Sequence, residues 1–324
     1  MKHPVKAVLA LCAVFAMVFA LSGCSSDSYT PSLKESTIDQ TALVSEGTLT
    51  VGVDASNAPF AYQQDGKIVG IDVDVAAALA DEMGLKLQIV DVGTDPNSAL
   101  KKGQVDIVMS VKKTDTSVDA WLSDSYLSTS TALFATDENT DLPSTTKSTT
   151  IAAQTSSVSA NLVINQYGTD YLSSVSDLST AFSNLESGTV KYVAADAVIG
   201  TYLVNQSHYS AKIIGLMQKP TGYCIGVSSS NTALKTEVAN GLANISDQGI
   251  ISVIEQKWLG SALDLDSYQL TDGASSSPAS ASSSGSGETI SATDTSSSSS
   301  TSSESGSSSS SSVSNVGANA AKVE

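Results

Sequence analysis

The sequence predicts an α/β fold with mostly parallel strands, and two observations carry that reading. Between residue 47 and about residue 264, short apolar strand-like runs alternate with segments of helical period. Such alternation places helices against a largely parallel sheet. The length, 324 residues, leaves room for roughly two folded units at about 150 residues each.

The elements follow in order. Residues 49–53 form a short apolar strand. Gly66 marks a turn, and Asp72 is a plausible cap for a helix running through Met83. In that helix Ile71, Val75, Leu79 and Met83 recur at every fourth position, which makes one face apolar. Gly84 stops it. Strands are expected over 86–90, 104–110 and 131–135, with a short helix over 97–102. A second set follows: strand 150–153, helices 158–166 and 178–186, strand 192–195, helix 197–205 and strand 212–216. Strand 223–227, helix 232–248 and a last helix ending at Trp258 close the folded part. Leu234, Val238, Leu242 and Ile245 line one face of the long helix.

Composition narrows the function. All 16 basic residues are Lys, with no Arg, against 33 acids, for a net charge of −17. No basic stripe is present to neutralise phosphates, so nucleic acid is not an expected partner. His3 and His208 are the two histidines, too few for a His-based metal site or a Ser–His–Asp triad with anything to spare. Neither a metal nor a cofactor is expected. Three cysteines cannot build a disulfide framework, and Cys224 in its apolar strand reads as a small core residue.

The N-terminus has the zones of a secretory signal: Lys2 and Lys6, an uncharged apolar run from Ala7 to Ala20, then Leu21-Ser22-Gly23-Cys24. The run is shorter than the roughly 20 residues that span a bilayer. The tetrapeptide resembles the bacterial lipobox, in which the Cys is acylated and the chain is cut just before it. Residues 1–23 are therefore expected to be a lipoprotein signal, with Cys24 holding the protein on the outer face of the cell membrane. Cleavage removes two lysines and no acid, leaving 14 lysines against 33 acids and a net charge of −19. Residues 24–46 read as a polar tether. From 263 to 324 the chain turns to Ser, Gly, Ala and Thr, and 296–312 is almost wholly Ser; such a tract cannot bury enough apolar surface to offset chain entropy, so a disordered tail is expected.

One stretch carries a resemblance. Val51-Gly52-Val53-Asp54, then Asn57-Ala58-Pro59-Phe60, then Gly70-Ile71-Asp72-Val73-Asp74-Val75 resemble the opening of family 3 solute-binding proteins, the polar amino-acid receptors of ABC importers. Further blocks resemble that family in the same order. They are the Ala99 to Asp106 block, Leu122-Ser123-Asp124-Ser125-Tyr126, Ala153-Gln154-Thr155-Ser156-Ser157, Ala194-Ala195-Asp196, and the closing block from Gly249 to Gly260. The resemblance implies a type II two-lobed binding fold: lobe 1 at 47–138 and 220–262, lobe 2 at 139–219, joined by two crossing segments. A ligand sits between lobes that close by hinge motion.

The resemblance also implies site residues. A zwitterion needs a carboxylate for its ammonium and cationic or N–H donors for its own carboxylate. Asp196 matches the ammonium-binding Asp; it is equally placed to cap the helix that follows. Asp54 is a second cation partner or a turn residue. Gln154, Ser156 and Ser157 match donors at a helix N-terminus, where anions are favoured. At Ser110 to Thr114 the family's Arg clamp is absent: Lys112 or Lys113 can supply a point charge but no bidentate fork, while Ser110 and Thr114 can add hydrogen bonds. Asn57 stands where many members stack an aromatic, and Phe60 and Tyr62 are possible cleft aromatics. The expected protein is a monomeric, lipid-anchored receptor passing a small polar solute to ABC permease subunits. A dehydratase-like enzyme or a sensory binding module on the same fold are the alternatives.

Overall fold

The computed structural model describes residues 34–36, 38–146, 149–275, 288 and 290. The expected leader, Cys24 and most of the Ser-rich tract lie outside the described residues.

Two sheets organise the chain. The first has the order β5-β1-β6-β13-β7, from Thr48–Val53 (β1), Lys86–Asp91 (β5), Ile107–Lys112 (β6), Trp121–Thr129 (β7) and Thr221–Val227 (β13). β5, β1 and β6 are parallel, while β13 runs antiparallel to β6 and β7. The second has the order β10-β9-β11-β8-β12-β14, from Thr131–Ala135 (β8), Ile151–Gln154 (β9), Leu172–Val175 (β10), Tyr192–Asp196 (β11), Lys212–Gln218 (β12) and Leu270–Ser275 (β14). A small antiparallel sheet of Ser56–Asn57 (β2), Ala61–Gln64 (β3) and Lys67–Val69 (β4) leads into the first helix.

Helices cover both sheets: Ile71–Glu82 (α1), Pro96–Lys101 (α2), Val158–Tyr167 (α3), Leu178–Glu186 (α4), Ala197–Ser207 (α5), Thr232–Asp247 (α6) and Ile250–Leu259 (α7). The four-residue apolar spacing in α1 does what it should: Ile71, Val75, Leu79 and Met83 are all buried. Its start differs from expectation. Gly70, not Asp72, precedes the first helical residue, and the orphan N–H groups of Ile71 and Asp72 donate to the carbonyls of Pro59 and Phe60. Gly70 sits at φ +144°, and a Cβ there would lie 2.1 Å from the Phe60 oxygen, so only glycine fits. Asp72 is thereby turned into the protein.

The lobe boundary also differs from the expected one. β7 passes into β8 across the single residue Ser130, and β12 returns to β13 across 219–220. The 131–135 strand pairs with β11 and β12 and so belongs to the second sheet, not to a first lobe reaching 138. No Gly or Pro interrupts residues 121–135, and the extended chain walks from one sheet to the other. The Ser130 hydroxyl donates to the Gln218 carbonyl at 2.8 Å and ties the two crossings together. One apolar cluster runs through both halves, from Leu49 and Leu79 to Phe134, Phe182 and Tyr202, with Trp258 between them.

The expected tail starts too early at 263. Leu265 is buried, Leu265–Ser267 forms a 3₁₀ turn, and β14 adds in parallel to β12. The Thr271 hydroxyl donates to Gln166 Oε1 at 2.8 Å. Without β14, β12 would present an open edge of unpaired backbone groups. Ending the chain after residue 264 is therefore expected to lower the melting temperature by several degrees, read by calorimetry; an unchanged transition would mean β14 contributes nothing to the fold.

Candidate functional site

The carboxyl ends of β9 and β11 face the crossing strands, and the residues that could meet a ligand gather there. Gln154 ends β9 and is buried; the exposed Ser156 has φ 61°, and the Ser157 hydroxyl accepts from the Ala160 N–H at 3.0 Å as the cap of α3. Asp196 ends β11 and opens α5. Its Oδ1 accepts from the N–H groups of Val198 (2.9 Å) and Ile199 (3.3 Å), so it is a helix cap. Its Oδ2 accepts from the Thr129 hydroxyl at 2.9 Å and the Tyr223 hydroxyl at 3.3 Å. Thr129 and Tyr223 belong to the first sheet, so this one carboxylate holds hydrogen bonds from both halves.

On the other side, Asp54, Asn57, Phe60 and Ser110 line one cavity of about 220 Å³, together with Asp72 and Met109. Asp54 makes an Asx turn, accepting from the Ser56 N–H at 3.0 Å and hydroxyl at 2.6 Å. Phe60 is 1% exposed and packs on Tyr223 with ring centroids 4.5 Å apart. Tyr62 stands away from this cavity: its hydroxyl accepts from Tyr202 at 3.3 Å and its ring meets Trp258 edge-on. A wider groove of about 460 Å³, lined by His208, Tyr209, Lys212 and Leu263, opens elsewhere and gathers none of the expected site residues.

The lysines separate. The Lys113 ammonium points to Asp124 at 3.8 Å, both side chains being exposed, and Thr114 lies in the turn that follows. Lys112 closes β6, opposite Tyr223, with its ammonium 5.7 Å from the centre of that ring. The strand runs two residues past its expected end, and period-two alternation sends neighbouring side chains to opposite faces. Lys112 therefore lies near the Asp196–Tyr223 pair, and Lys113 does not.

Several participants were not singled out from sequence. Asp72 is fully enclosed and accepts from the Tyr126 hydroxyl at 2.5 Å and the Ser110 hydroxyl at 2.7 Å, while the Ser110 N–H donates back to the Tyr126 oxygen at 3.0 Å. Ser110 adopts φ 55° to make these bonds. Thr129, Ser159 and Glu288 were missed as well. The Ser159 hydroxyl donates to Glu288 Oε1, and Glu288 Oε2 accepts from the Asp196 N–H at 2.6 Å. A faint signal existed for the last: Glu288 is followed closely by Ile290, the one large apolar residue between Leu270 and Val313.

Burial pushes the Asp72 carboxyl up to about 6, against the pull of its two hydroxyl donors. Burial and the neighbouring Asp196 push Glu288 up to about 7, with Lys112 opposing. Acids thus outnumber cations around the cleft. Among the described residues no group of three His, Cys, Asp or Glu side chains is placed to hold a metal, and no helix is long and apolar enough to cross a membrane.

Two α/β halves joined by paired crossings, with polar side chains converging where they meet, define a two-lobed binding protein. The pattern of bacterial extracellular solute-binding proteins, family 3, matches residues 49–261, and the chain belongs to that family. Similar proteins include the arginine-binding extracellular protein ArtP of Bacillus subtilis (strain 168), 43% identical over 65 residues. Those residues are 19% of this chain and 25% of that protein, so the match spans a quarter of the relative's length. GlnP substrate binding domain 2 of Lactococcus lactis, in open conformation, superposes with TM-score 0.57 at 26% identity over 67% of this chain and 97% of that one. A polar amino acid ABC uptake transporter substrate binding protein from Streptococcus thermophilus shares the fold, with TM-score 0.60 at 21% identity over 70% and 93%.

Asp72 makes stability depend on pH. Its folded pKa lies above the ordinary 3.8, so its contribution is full below about 3.8 and is lost as pH rises through about 6. Asp72→Asn is expected to flatten that slope in urea unfolding between pH 4 and 7; an unaltered slope would show that another group is responsible.

Proposed function

We propose that this protein is the lipid-anchored external receptor of an ABC importer, and that its solute is a small polar molecule with a cationic group, an amino acid of the arginine type. One observation carries the reading: the Asp196 carboxylate sits at the junction of the two sheets, held by Thr129 and Tyr223 from one side and the α5 N-terminus from the other. A carboxylate fixed by donors from both halves is pre-organised for an ammonium or guanidinium. Asp54, in the cavity on the first half, favours a cation further. Lys112, on the same side as Tyr223, is the point charge available to the solute's carboxylate. The Bacillus subtilis relative, an arginine-binding extracellular protein, points the same way.

In this reading no bond is made or broken. The solute contacts both halves, so binding energy favours the closed arrangement, which a permease then recognises. Acylation of Cys24 keeps the receptor at the membrane surface, beyond the described residues.

Asp196→Asn separates the two roles of this residue, because Asn caps helices about as well as Asp. The solute-free variant is expected to unfold within about 0.5 kcal/mol of the parent, yet to bind arginine roughly ten- to a hundredfold more weakly by isothermal titration calorimetry, the loss of one charged hydrogen bond. Parental affinity would remove Asp196 from the site. Cys24→Ala is expected to move the protein from membranes to medium in cell fractionation; continued retention would contradict lipid anchoring.

A further inference from the structure

Glu288 lies 13 residues beyond the end of β14, yet its carboxylate is inside the cleft. Oε2 accepts the Asp196 N–H at 2.6 Å, and Oε1 accepts the hydroxyl of Ser159, a side chain only 1% exposed. Ile290, two residues on, packs on the main apolar cluster. Glu288 and Ile290 thus give a polar and an apolar anchor two residues apart, in an otherwise Ser- and Gly-rich sequence.

We propose that Glu288 and Ile290 make the C-terminal segment a built-in guest of the inter-lobe cleft, its carboxylate seated on the Ser159 hydroxyl and the Asp196 N–H, so that an incoming solute has to displace it. The competition rests on the proposed solute-binding role; the seating does not. The seat is unequal to its guest in charge. Asp196 is a second anion beside Glu288, and Lys112 is the cation that offsets it, with Tyr223 also facing the pair. A cationic solute neutralises Asp196, whereas Glu288 opposes it, so exchange of the segment for solute is favoured. A receptor whose competent state is only partly populated shows an apparent affinity reduced by that fraction, and the segment would set this fraction.

The direction with pH follows. Docked Glu288 titrates near 7 and a free Glu near 4.5, so docking is fully favoured below about 4.5 and weakens as pH rises through about 7.

The test uses the full mature chain, with Glu288→Ala and Glu288→Gln variants, and reads the backbone amide resonance of Asp196 by NMR without any solute. Glu288→Ala is expected to move that resonance and to tighten arginine binding several-fold. In the parent the resonance should shift between pH 5 and pH 8; in Glu288→Gln, which keeps an acceptor but cannot ionise, it should not. An Asp196 resonance identical in parent and Glu288→Ala overturns the seating. A moved resonance with unaltered arginine affinity overturns the competition. Should arginine, lysine and glutamine bind neither chain while the resonance moves, the seating stands and the proposed solute class falls.

Discussion

Asp196 is where the two sheets answer to one another. Its Oδ1 ends the unsatisfied N–H groups of α5, and its Oδ2 takes hydroxyl donors from the ends of β7 and β13. A carboxylate in that position would be costly without partners, because a low-dielectric junction penalises charge. Three kinds of donor satisfy it, and the result is a carboxylate held where the two sheets meet. Its neighbours are themselves fixed: Tyr223 is held by Phe60, Lys112 lies over Tyr223, and the Asp196 N–H faces Glu288.

The first half has a parallel constraint. Because Gly70 starts α1 on the Pro59 and Phe60 carbonyls, Asp72 is swung inward to the Ser110 and Tyr126 hydroxyls. That network holds Ser110 at φ 55° within β6, two residues before Lys112. The chain lacks any Arg, so the electrostatic character of the site is set by acids, with Lys112 as the point charge against them.

Much of this architecture could be read in advance where one physical signal dominated. The apolar spacing of α1 and of α6, the Gly84 stop, and the strand preceding Asp196 are local features, and they appear where the pattern puts them. Elements whose cause is tertiary could not be read. β7 (WLSDSYLST) has few consecutive apolar residues and is held by its long pairing with β13. β14 (LTDGAS) has little strand propensity and exists because β12 offers an edge. The site shows the same division. Asp196 and Gln154 end β11 and β9, as their blocks imply, but the side each of Lys112 and Lys113 takes depends on strand alternation, and Asp72, expected to cap the helix, is buried in its first turn. Glu288 was assigned to a tract that composition alone makes featureless; its place in the cleft comes from two spaced anchors, not from average polarity.

A crystal structure of the mature chain grown with arginine tests the central claim most directly. The account expects a guanidinium or ammonium nitrogen within hydrogen-bonding distance of Asp196 Oδ2, bridging both sheets, and the Glu288 carboxylate gone from Ser159. Arginine bound away from the β7–β13 crossing, or seated in the cleft with Glu288 still on the Asp196 N–H, would contradict it.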